Sequence, residues 1–458
     1  MAQQSTHPPV PMDAEPRAAV AARLAPKLAE LIRFRTVSRR ERRLEDREQF
    51  TLHAQALARL FPHIAAAVER EPIGITGQLW LWRGAASNRP VVLMAHQDVV
   101  PVEEEAAWLH QPFAGTIADG RVWGRGALDD KGDLVCILEA ADLLAATGFV
   151  PGQDVYFFFG DNEETAGDTA IATAALLQSR GVAPWLVLDE GGAVTTGAFP
   201  LVKAPVGVIG VSEKGLIDVV LQAHDAGGHA SAPPSFGAVQ RIARAITRLR
   251  RAPFPASLSE VTVEMIDRLA ATAPAGARGP IGLLGRGGRA TAWIVSRIGA
   301  EPAALVRTTV AATELAGSDG SNVLARRAAV TLNIRIAAGE SVNCTLRRIK
   351  RIIRDGKITI DVLSASEPSP VSPHDCDQFR LLEACLATSH PAAVPVPYIM
   401  LAATDSRRFT GISENVYRFA PLGMDNSERA GIHGTNESVL VSELGNAVAF
   451  YTRLIRSL

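Results

Sequence analysis

The sequence predicts an α/β protein: a mostly parallel sheet flanked by helices, with a smaller α+β unit inserted into it. Three observations carry that prediction. Apolar runs rich in β-branched and aromatic residues alternate with helical segments as far as Pro205. Those runs lack polar alternation, which marks strands buried on both faces between helical layers. Beyond Pro205 the pattern becomes that of a small mixed unit, and after SEPSPVSP the first style resumes to Leu458. The organisation expected is one domain in two parts, residues 1–206 and 369–458, interrupted by an inserted unit at 207–368.

Ala14–Arg35 and Glu45–Arg70 carry apolar residues at helical spacing, predicting two opening helices around the charged cluster Arg39–Arg43, read as a solvated face. Strands follow in GQLWLWRG, VVLMAHQDVV, DVYFFFGDNEE and WLVLDEGG, with helices in LVCILEAADLLAATG and AIATAALLQSRG between them. In the second unit VGVIGVSEKGLIDVVLQAHD reads as a hairpin, Ala238–Arg251 as a helix and Ala328–Ile336 as a strand. Val342–Arg354 reads as a further helix and Lys357–Leu363 as a final strand. The Ala/Gly/Pro/Arg-rich stretch from Ala252 to about Val306 has no pattern from which elements can be assigned.

Composition narrows the function. The 458 residues are 47 % hydrophobic and 21 % charged, and 47 Lys+Arg against 48 Asp+Glu leave a net charge of -1. Such a balance makes no global field that would gather nucleic acid or an anionic bilayer. The four cysteines, Cys136, Cys344, Cys376 and Cys385, form no C-x-x-C pair and read as reduced thiols. Pro and charged residues interrupt every apolar stretch of the N-terminus, and no run approaches the ~18 apolar residues of a membrane span. A cytoplasmic protein with a small-molecule substrate, and with no nucleic-acid or membrane partner, is expected.

Chemistry concentrates at strand ends. His96 and Asp98 follow an apolar run and, two residues apart, share one strand face, as a metal-ligating imidazole and its carboxylate partner do. GRGALDDKG places Asp129 and Asp130 just before a helix, GDNEETAG places Glu163 and Glu164 after the aromatic strand, and LVLDEGG places Asp189 and Glu190 after another. IHGTNE adds His433. Ligands of open α/β sheets gather at the carboxyl ends of strands. So many acidic groups at one edge would repel one another unless cations neutralised them. The oxygen and nitrogen donor set suits Zn²⁺, with Co²⁺ or Mn²⁺ as alternatives, and argues against Ca²⁺.

HQD, GRGALDDKG, EE, LDEGG, GGHASAPP, NVLA, LNIRI, ATDSR and HGTNE occur in that order. Together they resemble the co-catalytic dizinc exopeptidases of the metallopeptidase family numbered twenty, and are most similar to its carboxypeptidase S and N-fatty-acyl-amino-acid hydrolase branch. The resemblance implies a zinc exopeptidase-like catalytic domain with an inserted ferredoxin-like lid, holding two Zn²⁺ per subunit. It implies that Asp129 bridges the ions, that His96 and Glu190 complete one site, and that Glu164 and His433 complete the other. Asp189 stays open as the alternative to Glu190.

By the same resemblance Glu163 is the general base and Asp98 the partner of His96. His229 of the lid would hydrogen-bond the developing oxyanion, while Asn322, Arg335 and Arg407 would take the substrate carboxylate. Two departures stand out: Asn162 replaces the more usual Asp before the glutamate pair, and the 252–306 stretch enlarges the lid. The enlarged lid leaves monomer and homodimer both open. The activity implied is hydrolysis of an amide next to a free carboxylate, releasing an amino acid from an N-acyl-amino acid or short peptide. A non-catalytic protein that binds amino-acid conjugates on the same fold is the alternative.

Overall fold

The computed structural model describes residues 16–199 and 202–458. The start of the first expected helix, Ala14, lies outside them. Helix α1 (Arg17–Ile32) buries Leu24, Leu28, Leu31 and Ile32. The second expected helix is shorter than its apolar spacing suggested. Helix α2 (Arg47–Leu60) stops before Pro62, a short turn of helix covers Pro62–Ala67, and the chain then extends into strand β1 (Val68–Ile73). Pro62 supplies no N–H to continue α2, and it opens the next helix at its first position.

The core is a sheet of ten strands among the described residues. Strand β1 and β2 (Gly77–Trp82) form an antiparallel edge hairpin. The centre holds β3 (Ala86–His96), β4 (Gln153–Gly160) and β5 (Leu186–Asp189), all parallel. Helices α3 (Lys131–Ala146) and α4 (Asp168–Ser179) connect them. Strand β4 is buried from Asp154 to Gly160, as its unbroken aromatic run requires. Strand β6 (Val206–Glu213) extends the sheet.

The expected hairpin after Pro205 does not form. Strand β6 stays in the large sheet, whereas β7 (Gly215–His224) belongs to a separate four-stranded sheet, so Lys214 alone joins them. The burial patterns give the reason. All eight residues of β6 are buried, as in a sheet covered on both faces, while β7 alternates buried and half-buried positions, as in a sheet covered on one.

The second sheet contains β7, β8 (Thr309–Ala316), β9 (Arg327–Ile336) and β10 (Ile358–Ser366) in spatial order β8-β9-β7-β10, all antiparallel. Helix α5 (Ala238–Arg251) packs on one face through Ile242, Ala245 and Leu249. With helix α10 (Val342–Ile353) contributing Ile349 and Ile353, the unit is a β-α-β-β-α-β ferredoxin-like fold.

Between α5 and β8, the unassigned stretch is helical. It comprises α6 (Glu260–Thr272), α7 (Ala275–Arg286), α8 (Gly288–Ile298) and α9 (Ala300–Val306). Six glycines from Gly276 to Gly288 lower intrinsic helix propensity, so packing decides the outcome. Helix α6 lays Met265, Ile266 and Leu269 on Val206 and Val208 of β6 and on Val396 of β11 (Val394–Met400). The chain returns to the large sheet where Ser369 and Ser372 donate to the carbonyls of Glu213 and Val211. Strand β12 (Val416–Arg418) pairs with β5, and helices α11 (Asp377–Ser389) and α12 (Val441–Arg456) close the first helical layer.

Candidate active site

Strand β3 delivers His96 to the carboxyl edge of the sheet. Its imidazole Nδ1 lies 3.0 Å from the carbonyl oxygen of Asp98, and Nε2 lies 2.9 Å from Asp129 Oδ1. Sequence reasoning makes the Asp98 carboxylate the partner of this ring. Here the carbonyl of the same residue is nearer, since Asp98 Oδ1 stands 3.4 Å from Nδ1. The carboxylate instead accepts the backbone N–H groups of Glu163 at 3.1 Å and Glu164 at 3.2 Å. Asp98 thus couples the imidazole at the end of β3 to the glutamate pair after β4.

Asp129 sits between two histidines. Its second oxygen, Oδ2, is 3.1 Å from His433 Nε2, which also meets both oxygens of Glu164 at 3.0 Å. One carboxylate therefore faces two imidazoles, one on each oxygen. Its loop is held by Glu437, a fully buried residue whose carboxylate accepts from Arg125 Nη1 at 2.6 Å. The same carboxylate takes the N–H groups of Gly126, Leu128 and Asp129 at 3.1, 2.8 and 3.1 Å. Asp130 orients the strand end by accepting the His96 N–H at 3.0 Å.

Asp189 and Glu190 divide. Asp189 Oδ2 accepts the Ser406 N–H at 2.8 Å, which ties it to the turn at 405–411. Glu190 is raised well above the usual carboxylate range by burial and then by the charges of Asp129 and Asp189. Glu163 is likewise raised well above that range, by burial first and then by Asp405, Glu190 and Glu164. Burial and Asp129 raise Glu164. Hydrogen bonds to Asp129 and Glu164 push His433 up to about 10.

Sequence reasoning missed two of these residues. Asp405 lies within the ATDSR segment, beside the base candidate, and its Oδ2 is buried without a hydrogen bond among the described residues. Glu437 lies in HGTNE, four residues after His433.

The residues fit divalent cations. Ligand atoms of His96, Asp129 and Glu164 lie within 4.8 Å of one another. Burial raises the pKa of Glu164 and of the five further acids Asp130, Glu163, Asp189, Glu190 and Asp405, and for all of these but Asp189 the charge of neighbouring carboxylates adds to it. Positive charge at this place relieves the repulsion that protons would otherwise have to relieve.

Residues 92–457 match the peptidase family M20/M25/M40. The chain belongs to that family. It is 32 % identical over 450 residues to the probable carboxypeptidase S-like 2 of Dictyostelium discoideum, covering 95 % of this chain and 85 % of that one. It is 33 % identical over 413 residues to the human N-fatty-acyl-amino acid synthase/hydrolase PM20D1, covering 87 % of this chain and 80 % of that one. In fold it is similar to an M20 family metallo-carboxypeptidase from Sulfolobus solfataricus, with a TM-score of 0.68 at 16 % identity over 94 % of this chain and 98 % of the other. Human carnosine dipeptidase 1 gives 0.67 at 14 % identity over 96 % of each. The chain is thus an M20 metal-dependent hydrolase.

The four candidates for the substrate side of this M20 chain, His229, Asn322 and Arg335 of the lid and Arg407 of the large-sheet domain, separate into two places. Arg335, near the end of β9, and Arg407, in the 405–411 turn, lie close enough for the charge of Arg335 to act on Arg407. Burial lowers the pKa of both, and for Arg407 the nearby Arg408, Arg418 and Arg335 add to it. Arg407 Nη2 donates to the Glu367 carbonyl at 2.7 Å, and Arg335 Nε donates to Asn333 Oδ1 at 3.3 Å. His229 and Asn322 lie apart, on a two-stranded ribbon in which Gly228–His229 pairs with Val323–Leu324. His229 is exposed, and its Nδ1 pairs with Ser231 Oγ at 2.7 Å. Among the described residues no hydrogen bond or ion pair joins His229 or Asn322 to the acidic cluster.

Proposed function

We propose that this M20 hydrolase uses two Zn²⁺ ions to cleave an amide next to a free carboxylate, releasing an amino acid from an N-acyl-amino acid or a short peptide. The observation that carries the reading is the single carboxylate of Asp129 facing His96 on one oxygen and His433 on the other. His96, Asp129 and Glu190 would hold one ion, and Asp129, Glu164 and His433 the second. Bound there, such ions supply Lewis-acid activation of water and of the scissile carbonyl.

The chain's own groups do the rest. Glu163, whose buried carboxyl already has a raised proton affinity, takes the proton from the attacking water and returns it to the leaving amine. Arg335 and Arg407 present paired N–H donors that suit the two oxygens of a substrate carboxylate. The exposed His229, with Asn322 in the turn before the neighbouring strand, supplies the oxyanion donor and a further substrate contact once brought to a cluster. Because no hydrogen bond or ion pair among the described residues joins His229 or Asn322 to the acidic cluster of its own chain, a second subunit is the source proposed. N-acyl substrates are favoured by the likeness to PM20D1.

The test follows released amino acid by mass spectrometry, using zinc-loaded protein and a panel of dipeptides and short- and long-chain N-acyl-amino acids. Release that is lost on chelation, and lowered about 10²–10⁴-fold in Glu163→Gln with zinc retained, supports the reading. A zinc-loaded protein that binds panel members and releases nothing is the non-catalytic alternative.

A further inference from the structure

Helix α8 of the lid insertion is turned inside out. Its small residues Thr291, Ala292 and Ser296 are buried, while Trp293, Ile294 and Ile298 are 57 %, 47 % and 59 % exposed. On the helix these form two adjoining ridges, Arg289–Trp293–Arg297 and Ala290–Ile294–Ile298, each spaced by four residues. Leu283 of α7 adds another large apolar side chain, 68 % exposed. Arg297 stacks its guanidinium over the Trp293 ring at 4.6 Å.

The charge is one-sided as well. From Leu269 to Ala300 the sequence contains Arg278, Arg286, Arg289 and Arg297 and no acidic residue. A second copy of this chain meeting the face symmetrically would set arginines against arginines. An amphipathic helix with Trp and Ile along one stripe, and with Arg289 and Arg297 as its only charged residues, has instead the composition of an interfacial membrane helix. The helix remains far too short to span, and no described helix is long and apolar enough to do so.

The rest of the insertion leaves this face free. Helix α6 packs on the large sheet through Met265, Ile266 and Leu269, and Arg307, beyond the last helix, lends its carbonyl to Lys214. Helix α7 adds Ile281 and Leu284 to that attachment while its Leu283 turns outward, so the attached and displayed faces of the insertion are separate.

We propose that α8, with Leu283 of α7, docks this enzyme peripherally on an anionic lipid bilayer. This goes beyond the hydrolytic reading and does not depend on it. Trp293, Ile294, Ile298 and Leu283 enter the headgroup boundary, and Arg286, Arg289 and Arg297 meet lipid phosphates.

The test sediments the full-length protein with vesicles of phosphatidylcholine alone or mixed with phosphatidylglycerol. Two double variants accompany it, Trp293→Ser/Ile298→Ser and Arg289→Glu/Arg297→Glu. All four side chains point to solvent, and an unchanged melting curve confirms the fold. Binding is expected on the anionic vesicles only, and is expected to weaken with salt. Loss of two arginine contacts, each worth a factor of about five in partitioning (about 1 kcal/mol), lowers it at least about 30-fold, and the apolar variant lowers it comparably. Equal sedimentation with and without vesicles overturns the proposal, as does binding that both variants leave unchanged. Concentration-dependent self-association that disappears in Trp293→Ser/Ile298→Ser, without vesicle binding, assigns the face to a second copy and overturns it too. Hydrolysis of a soluble substrate is read separately, so failure here does not bear on the chemistry.

Discussion

Replacing Glu437 by glutamine tests how the Asp129 loop is held. The carboxylate is fully buried and accepts from one guanidinium and three backbone N–H groups. An amide of the same shape keeps one acceptor oxygen and turns an NH₂ toward donors. Arg125, itself 3 % exposed, then loses its counter-charge. Removing one partner of a buried ion pair costs about 3–5 kcal/mol. The loop from Gly124 to Asp129 loosens with it, and loss of such a supporting contact weakens metal binding by about 10–100-fold. The assay pairs urea unfolding of the metal-free protein with zinc competition against a chelator. A Glu437→Gln protein that unfolds at the wild-type midpoint and holds zinc as tightly refutes the reasoning. The Arg125→Met/Glu437→Met double variant should recover part of the stability, because no lone buried charge remains.

Three other outcomes follow from the geometry. Burial pushes Lys214 from 10.5 down to about 8, so the folded state gives up this proton before the unfolded state does. Wild-type stability should therefore rise relative to Lys214→Met between about pH 8 and 10.5, by up to about 3 kcal/mol, and keep a constant difference from it below pH 8; a difference in urea midpoints that is the same at every pH contradicts this. Ser259 caps α6 by accepting the Thr262 N–H at 3.1 Å, and Ser259→Ala should cost about 1 kcal/mol in the same assay, with a null effect ruling out the cap. Asp98→Asn keeps one acceptor for the paired N–H groups of Glu163 and Glu164. It should weaken zinc binding by about 10–100-fold while His96 stays in place, as judged by competition and by its NMR shifts; unchanged affinity would detach Asp98 from the site.

Much of the site is legible in the sequence because strand ends put their chemistry in one place. His96 closes β3, Glu163 and Glu164 follow β4, and Asp189 closes β5, so the apolar runs themselves announce where the charged residues converge. What is not legible depends on contacts made across the chain. Nothing local to HGTNE says that Glu437 turns back onto the loop of Asp129, more than three hundred positions earlier. Periodicity reads VGVIGVSE and LIDVVLQAH as neighbours, although their different alternation already separates a doubly covered strand from a singly covered one. The insertion resists reading for a similar reason: Gly-rich helices such as α7 take shape against α6 and the sheet beyond it, so their own residues carry little signal. The separation of His229 from the cluster is likewise a property of the assembled lid, outside the reach of any motif.

Helix α6 has a consequence for how the molecule comes apart. It belongs by connectivity to the lid, yet it supplies the covering layer for Val206, Val208 and Val396 in the large sheet. At the single-residue joint itself, Lys214 donates to the carbonyls of Ala304 and Arg307 at 2.8 Å each. The two units therefore share apolar core across their boundary. Heating or urea should melt them in one cooperative transition, and excising residues 252–306 would strip the large sheet of part of its second face.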